Sequence, residues 1–176
     1  LFDLAGLHSA PARFDPEKLK WLNHEHLQRL DDAALAAHLR PFLERAGLAL
    51  ADGPPVEAVA ALLRDRAPTL VDMAEAARYF YAAPQSAATE TTTQVTPQNR
   101  AALEAVARGL ATVEWSRDAI GALLKAAAAD HKLKPGQVMM PLRGLVTGTS
   151  HTPAIDAVLA VLGLDETLAR IARQLR

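Results

Sequence analysis

The chain has 176 residues, a formal net charge of −1 and no cysteine. This length allows one ordinary domain or two small subdomains, with a core that needs no disulfide or metal. The lack of cysteine excludes thiolate zinc sites and cysteine nucleophiles, and no apolar run approaches the roughly 18 residues of a membrane span. Because the chain starts at Leu1 with no signal-peptide pattern, we expect a soluble, cytoplasmic piece of a longer protein.

Composition favours helices over sheets. Half of the residues are hydrophobic but only 5% are aromatic, and 37 are alanine, a balance typical of helical proteins. Residues 1–94 carry 9 basic and 13 acidic side chains, whereas residues 95–176 carry 10 and 7. Neither half has the strongly basic charge that indicates nucleic-acid binding by itself.

Helix start signals recur along the first half of the chain. Residues with good N-cap side chains precede apolar residues at helical spacing; these candidate caps are Asp15, Asp31 or Asp32, and Thr69. A further helix is predicted between the turn at residues 52–55 and Pro68. The pattern after Thr69 continues through Ala77 and Phe80, so we expect one helix there that ends in the aromatic cluster at residues 79–81.

Residues 82–96 lack apolar periodicity and are predicted to link two subdomains. Five more helices are expected beyond this linker. Four have start signals, which are Thr96-Pro97, Ser116, Thr152-Pro153 and Asp165. The other is a short helix marked by Val138, Leu142, Leu145 and Val146, after Lys134-Pro135-Gly136 breaks the helix that Ser116 begins. Thr152 is predicted to be an N-cap. The sequence therefore predicts an all-α protein of about nine helices, divided into residues 1–14, 15–94 and 95–176.

Residues that could carry catalysis or bind metal have simpler explanations. His24 and His26 are two residues apart on a predicted helix, so their side chains point about 200° away from each other and cannot chelate one ion. The serines lack a nucleophile-elbow context, and the paired acids at helix starts suit the helix dipole. We therefore expect no catalytic and no metal-binding residue in this chain, and a metal-dependent hydrolase has little support.

Arg143 interrupts an otherwise apolar, glycine- and proline-punctuated stretch from Lys134 to Gly148. It could pair with a carboxylate, or its stem could cover apolar surface while the head reaches water. It could also present five planar donors to a base edge or a phosphate beside the loop at residues 149–152. Spacing alone leaves these alternatives open.

Several blocks of the sequence carry a family resemblance. They are residues 14–23 (FDPEKLKWLN), 134–138 (KPGQV), 141–143 (PLR), Thr147-Gly148, Thr152-Pro153 and Leu162-Gly163. In order and spacing they resemble the C-terminal part of bacterial glutamyl-tRNA synthetase along nearly the whole chain, with the linker matching least. The resemblance implies two α-helical anticodon-binding subdomains, preceded in residues 1–14 by the tail of a stem-contact segment.

The resemblance also implies which residues bind the anticodon. The family's base-reading arginine after the first block falls on Gln28, a departure that leaves discrimination between glutamate and glutamine anticodons open. The Pro-Leu-Arg arginine falls on Arg143 and a basic position in the preceding helix on Lys125. The family's Thr-Pro turn falls on Thr152 and Pro153, with Ile155 at its apolar contact position.

The expected partners follow from the same resemblance. They are the anticodon loop of tRNA(Glu) and the N-terminal catalytic domain of the same enzyme, which would hold ATP and Mg²⁺; these 176 residues would hold no cofactor and would not aminoacylate alone. We expect a monomer that does not associate with membranes. The alternative is an all-α protein-interaction module with no RNA role, which the low net charge favours.

Overall fold

The computed structural model describes residues 15–84 and 95–175, and every regular element in these ranges is helical. They contain ten α-helices, and a short 3-10 turn, Arg64–Arg66, follows the third. The helices are α1 (Pro16–Arg29), α2 (Asp32–Arg45), α3 (Val56–Leu63), α4 (Leu70–Ala76), α5 (Arg78–Tyr81), α6 (Pro97–Leu110), α7 (Arg117–Asp130), α8 (Pro135–Thr147), α9 (Ile155–Leu162) and α10 (Leu164–Gln174). The all-α prediction is confirmed. None of these helices is long and apolar enough to cross a membrane.

Side-chain caps begin several helices where the sequence predicted them. Asp15, Asp31 and Ser116 occupy the N-cap positions of α1, α2 and α7. Each side-chain oxygen accepts hydrogen bonds from first-turn N–H groups, at 2.7 to 3.3 Å. Such a bond satisfies donors that a helix leaves without a partner, and it contributes about 1 kcal/mol to stability.

The helix predicted after Thr69 is two helices, and this is why the structure has ten rather than nine. The chain leaves α4 at Ala77 and forms a single further turn, α5, which a bond of 2.9 Å from the Phe80 N–H to the Ala77 carbonyl closes. Met73, Ala77 and Phe80 are all buried. The apolar spacing therefore continues across the break, and periodicity alone does not reveal it.

The buried apolar side chains form one continuous core from Leu27 to Ile171. Within it, α2 packs against α3 and α4, and helices α6 to α10 pack mainly against one another. Contacts between α3 and α9 join these two groups. The division into subdomains at residue 94 stays a prediction, because residues 85–94 lie outside the described ranges.

Helix α1 lies at the edge of this core. Its C-terminal Leu27 is buried, but Leu19 and Leu22 are exposed and Trp21 is 59% exposed. The sequence grouped these leucines on one helical face. In the structure only the last part of that face packs against the core, so α1 presents an apolar surface to the outside.

Candidate functional site

A groove of about 580 Å³ lies between helices α4 and α5 and the turn that follows α8. Residues from both groups of helices form its walls. The first wall comprises Asp72, Glu75, Ala76, Arg78, Tyr79 and residues 82–84, and the second comprises Thr147, Thr149 and His151. The pieces of chain that form it are far apart in sequence, so only tertiary packing creates this groove.

Glycine and threonine residues shape the turn that forms the second wall. Gly148 ends α8 with φ at 71°, a conformation that glycine adopts without strain. The Thr147 hydroxyl lies 2.8 Å from the Arg143 carbonyl and accepts the Thr149 N–H at 3.3 Å. The Thr149 hydroxyl in turn accepts the His151 N–H at 3.2 Å. These bonds hold the turn against the last turn of α8.

Arg143 lies on α8 and is half-buried. Its Nη1 lies 3.0 Å from the Met140 sulfur, and its Nε is buried without a hydrogen-bond partner. In residues 15–84 and 95–175 no carboxylate forms an ion pair with it. Of the three readings that the sequence left open, carboxylate pairing therefore has no support in the described part of the chain.

Tyr79 is a buried aromatic residue on α5 whose hydroxyl is influenced by two arginine charges. Its side chain is 7% exposed, and its hydroxyl is buried without a hydrogen-bond partner among the described residues. Burial raises the pKa of Tyr79 above its ordinary value, and the positive charges of Arg66 and Arg143 oppose this rise. Arg66, which precedes Tyr79 in the sequence, and Arg143, which follows it, thus both act electrostatically on this hydroxyl.

Sequence reasoning did not single out Arg66. It lies exposed in the 3-10 turn after α3, one residue before buried Ala67. The signal available was a run of alternating charge, Arg64-Asp65-Arg66, at the predicted helix end. A charge run is usually a solvated surface, so the pattern could not distinguish Arg66 from other exposed arginines.

Gln28 holds the turn that carries Arg66. Its amide Nε2 donates to the Arg64 carbonyl at 3.1 Å and lies 3.3 Å from His24 Nε2. The Arg64 guanidinium donates back to the Gln28 carbonyl at 3.1 Å. The donor group of Gln28 is therefore engaged within the protein, next to the turn on which Arg66 is exposed.

The Thr152-Pro153 corner is buried. Thr152 is 6% exposed and Ile155 is 3% exposed, and Pro153 is buried between them. The prediction that Thr152 is an N-cap is wrong, because Ala154 occupies that position of α9 without any side-chain cap. The Thr152 hydroxyl instead bonds to the Pro153 carbonyl at 3.0 Å. These side chains thus form the base of the loop rather than its surface.

Lys125 is exposed on α7. It lies one turn beyond Gly121, which packs against Asp156, and two turns beyond Arg117, whose guanidinium pairs with Asp156 at 3.1 Å. Asp156 is in the first turn of α9, directly after Ile155. Lys125 therefore extends the helix face that contacts the start of α9, and it adds a positive charge beyond the buried corner.

Comparisons with known proteins agree with this architecture. Residues 34–175 match the model of the family described as the anticodon binding domain. The glutamate–tRNA ligases of Burkholderia vietnamiensis and Burkholderia multivorans are 44% and 46% identical over 97% of this chain, which spans 37% of the length of each. A crystal structure of a glutamate tRNA ligase from Elizabethkingia meningosepticum superposes with a TM-score of 0.86 at 25% identity, covering 99% of this chain and 35% of that one.

Proposed function

This chain belongs to the anticodon-binding domain family, and on that premise we propose that it binds the anticodon loop of a glutamate tRNA as part of a glutamate–tRNA ligase. The observation that carries the proposal is Arg143, a half-buried arginine whose guanidinium has no carboxylate partner among the described residues. It lies on α8 one turn before Thr147, which lines the groove. A guanidinium offers planar, forked donors that match base edges and phosphates. Unpaired loop bases are the usual target of sequence-specific RNA readers.

Each candidate residue has a distinct role in this proposal. Arg143 and Arg66 provide the charged donors for bases or phosphates, and Lys125 contacts the backbone of the loop as an exposed cation. Thr152, Pro153 and Ile155 are buried, so they fix the loop after α8 and meet RNA only through its backbone groups. Gln28 positions the turn that carries Arg66.

The proposal places amino-acid activation elsewhere. ATP and Mg²⁺ would act in a catalytic part outside these 176 residues, and this chain would supply recognition and positioning in the cytoplasm, where tRNA is charged. The exposed face of α1, which includes Leu19, Trp21 and Leu22, is an apolar surface suited to a contact with that part. We expect one copy of the chain to bind one tRNA.

The test is a titration of the protein with a glutamate tRNA transcript across a range of salt concentrations. Charge-based RNA binding predicts an association constant that falls linearly with salt on logarithmic axes. Arg143→Ala should weaken binding by about 1–3 kcal/mol if the side chain reads a base edge, with the loss concentrated at one anticodon position. A uniform loss across anticodon variants would instead make Arg143 a phosphate contact.

Arg108→Ala is the matched control. Arg108 is an exposed arginine on α6, and no residue of α6 lines the groove, whereas α8 contributes Thr147. Removal of Arg108 therefore changes the net charge equally in a helix that is not part of the groove walls. The proposal requires Arg143→Ala to cost clearly more binding than Arg108→Ala. Absent or salt-insensitive binding by the unaltered protein would favour the protein-interaction module instead.

A further inference from the structure

Arg170 on α10 is the most deeply buried charged side chain of the described residues, at 2% exposure. Its Nη1 donates to the Tyr79 carbonyl at 2.6 Å and to the Val146 carbonyl at 2.8 Å. Its Nε donates to Glu166, one turn earlier on α10, at 2.7 Å. One guanidinium therefore joins three helices: α5, α8 and α10.

The two carbonyl acceptors lie at equivalent places in their helices. Tyr79 is in the single turn of α5 and Val146 is in the last turn of α8, where carbonyl groups have no partner within the helix. At the end of α8 the helix dipole is also negative. A buried cation donates hydrogen bonds to these carbonyl groups and also compensates the negative charge at the helix end. Such hydrogen bonds to a charged donor contribute more than neutral ones and fix direction as well as distance.

These helix ends are also the two walls of the groove. Tyr79 belongs to the first wall, and the second wall begins at Thr147, directly after Val146. At the same level, Gly148 approaches Pro84 so closely that an added Cβ would lie 2.8 Å from the Pro84 Cβ. Two contacts thus fix the distance between the walls: the bonds of Arg170 and the close approach of Gly148 to Pro84.

We propose that Arg170 is a positioning residue for anticodon recognition: it holds α5 and the last turn of α8 at the spacing at which Tyr79 and Thr147 line one groove. The inference rests on the proposed function, since it assigns Arg170 a role in the selectivity of that same site. Arg170 touches no RNA in this arrangement, because its side chain is 2% exposed and its Nε and Nη1 donate to Glu166 and the two carbonyls.

A second arginine on the same helix bundle provides a matched control. Arg100 on α6 donates from Nη2 to the Leu175 carbonyl at the end of α10. It therefore also ties α10 to a neighbour by an arginine–carbonyl bond. Its bond, however, stays within the group of helices α6 to α10 and does not cross the groove.

The experiment uses the whole 176-residue chain with four changes made one at a time: Arg170→Met, Arg170→Lys, Glu166→Gln and Arg100→Met. Because the chain has no cysteine, cysteines introduced at exposed Glu44 on α2 and Ala129 on α7 can carry spin labels without side reactions. The first measurement is the distribution of the label-to-label distance, without RNA. The second is the ratio of dissociation constants for a glutamate tRNA transcript and transcripts altered at each anticodon base.

Arg170→Met should broaden or shift the label distance and lower the selectivity at one anticodon position by about tenfold, which corresponds to about 1.4 kcal/mol. Arg170→Lys keeps the positive charge but loses the forked guanidinium, so it should change the label distance and the selectivity less than Arg170→Met does. Glu166→Gln removes the counter-charge of Arg170 but keeps an oxygen acceptor for its Nε, so it should change both readouts less than Arg170→Met does. Arg100→Met should leave both readouts as in the unaltered protein. If circular dichroism shows that Arg170→Met does not fold, the comparison of Arg170→Lys with Arg100→Met tests the proposal instead.

The proposal is overturned if a folded Arg170 variant keeps the distance distribution and the selectivity of the unaltered protein. It is also overturned if Arg100→Met changes both readouts as much, because the role would then be general stabilisation of α10. If the unaltered protein fails to bind the transcript, the proposed function fails, whereas the label distances still report whether Arg170 sets the spacing between the walls.

Discussion

Gly148 and Pro84 meet at the rim of the groove, where a Cβ at position 148 would come within 2.8 Å of the Pro84 Cβ. Gly148 also has φ at 71°, in the left-handed region. Two separate constraints thus require glycine at the end of α8: the backbone conformation and the neighbouring chain.

Gly148→Ala should therefore destabilise the protein by about 1–3 kcal/mol, because the strain at positive φ adds to the steric conflict with Pro84. Urea unfolding followed by circular dichroism measures the change. Gly136→Ala is the control, since Gly136 is in the first turn of α8 with no atom within 4 Å of its added Cβ. That substitution should be neutral or stabilise by up to about 1 kcal/mol, and equal losses at both positions would contradict the argument.

The stability of the protein should decrease at alkaline pH. Burial raises the pKa of Tyr81 to about 12, and burial raises the pKa of Tyr79 as well. In the unfolded chain both tyrosines ionise near pH 10, before they do in the folded protein. Their contribution to the free energy of unfolding is therefore complete below about pH 10. It is lost as the pH rises toward the pKa values of the folded state.

Tyrosinate absorbance during an alkaline titration measures this directly, because the chain contains only two tyrosines. Both should ionise above pH 10 in the folded protein and together near pH 10 in urea. Tyr81→Phe should make the free energy of unfolding less dependent on pH between 10 and 12. The prediction would be ruled out if both tyrosines of the folded protein ionised near pH 10, the ordinary value for tyrosine.

The two tyrosine hydroxyls should differ in their contribution to the stability of the protein. The Tyr79 hydroxyl is buried without a partner among the described residues, whereas the Tyr81 hydroxyl donates to the Pro54 carbonyl at 3.2 Å. Tyr79→Phe should therefore be neutral or stabilising, and Tyr81→Phe should cost about 0.5–1.5 kcal/mol. Thermal and urea unfolding of the two variants, measured side by side near neutral pH, compare them; a larger loss at Tyr79 would indicate a hydroxyl partner that this arrangement lacks.

Arg64 should be the residue that fixes α1 to the 3-10 turn. It donates to the carbonyls of Gln28 and Leu30 and pairs with Asp32 at 2.6 Å. Arg64→Met should destabilise by about 1–3 kcal/mol, because it leaves these helix-end carbonyls without their donor. Arg29→Met, at an exposed position with a 4.0 Å ion pair to Glu25, should cost about 0–1 kcal/mol. Urea unfolding tests the difference, and hydrogen exchange in α1 should increase only in the Arg64 variant.

Arg66→Ala should weaken RNA binding more than Gln28→Ala does. Arg66 is exposed near Tyr79, whereas the Gln28 amide is bonded to the Arg64 carbonyl. Transcripts that differ only in the third anticodon base, titrated against both variants, measure the loss and its dependence on that base. The prediction is contradicted if Gln28→Ala loses more RNA binding than Arg66→Ala while it unfolds at the same urea concentration as the unaltered protein. Gln28 would then be the residue that reads the third anticodon base.

Local signals in the sequence account for much of the fold. Asp15, Asp31 and Ser116 begin helices where they were predicted to, since a capping side chain acts on its own next few residues. Gly148 ends α8 for an equally local reason, its backbone conformation. The prediction that α9 begins at Thr152 shows where local signals fail. Thr152 has a good capping side chain, but it is buried and its hydroxyl bonds to the Pro153 carbonyl instead.

The amino-acid sequence determined that the chain forms helices, where most of them begin, and that Arg143 is an isolated charge in an apolar stretch, because these properties depend on residues within a few positions of one another. Tertiary structure alone decided that the charges of Arg66 and Arg143 both act on the Tyr79 hydroxyl, and that Arg170 joins α5 to the end of α8. Such contacts join residues up to 91 positions apart. They arise from the packing of whole helices, which no local pattern records.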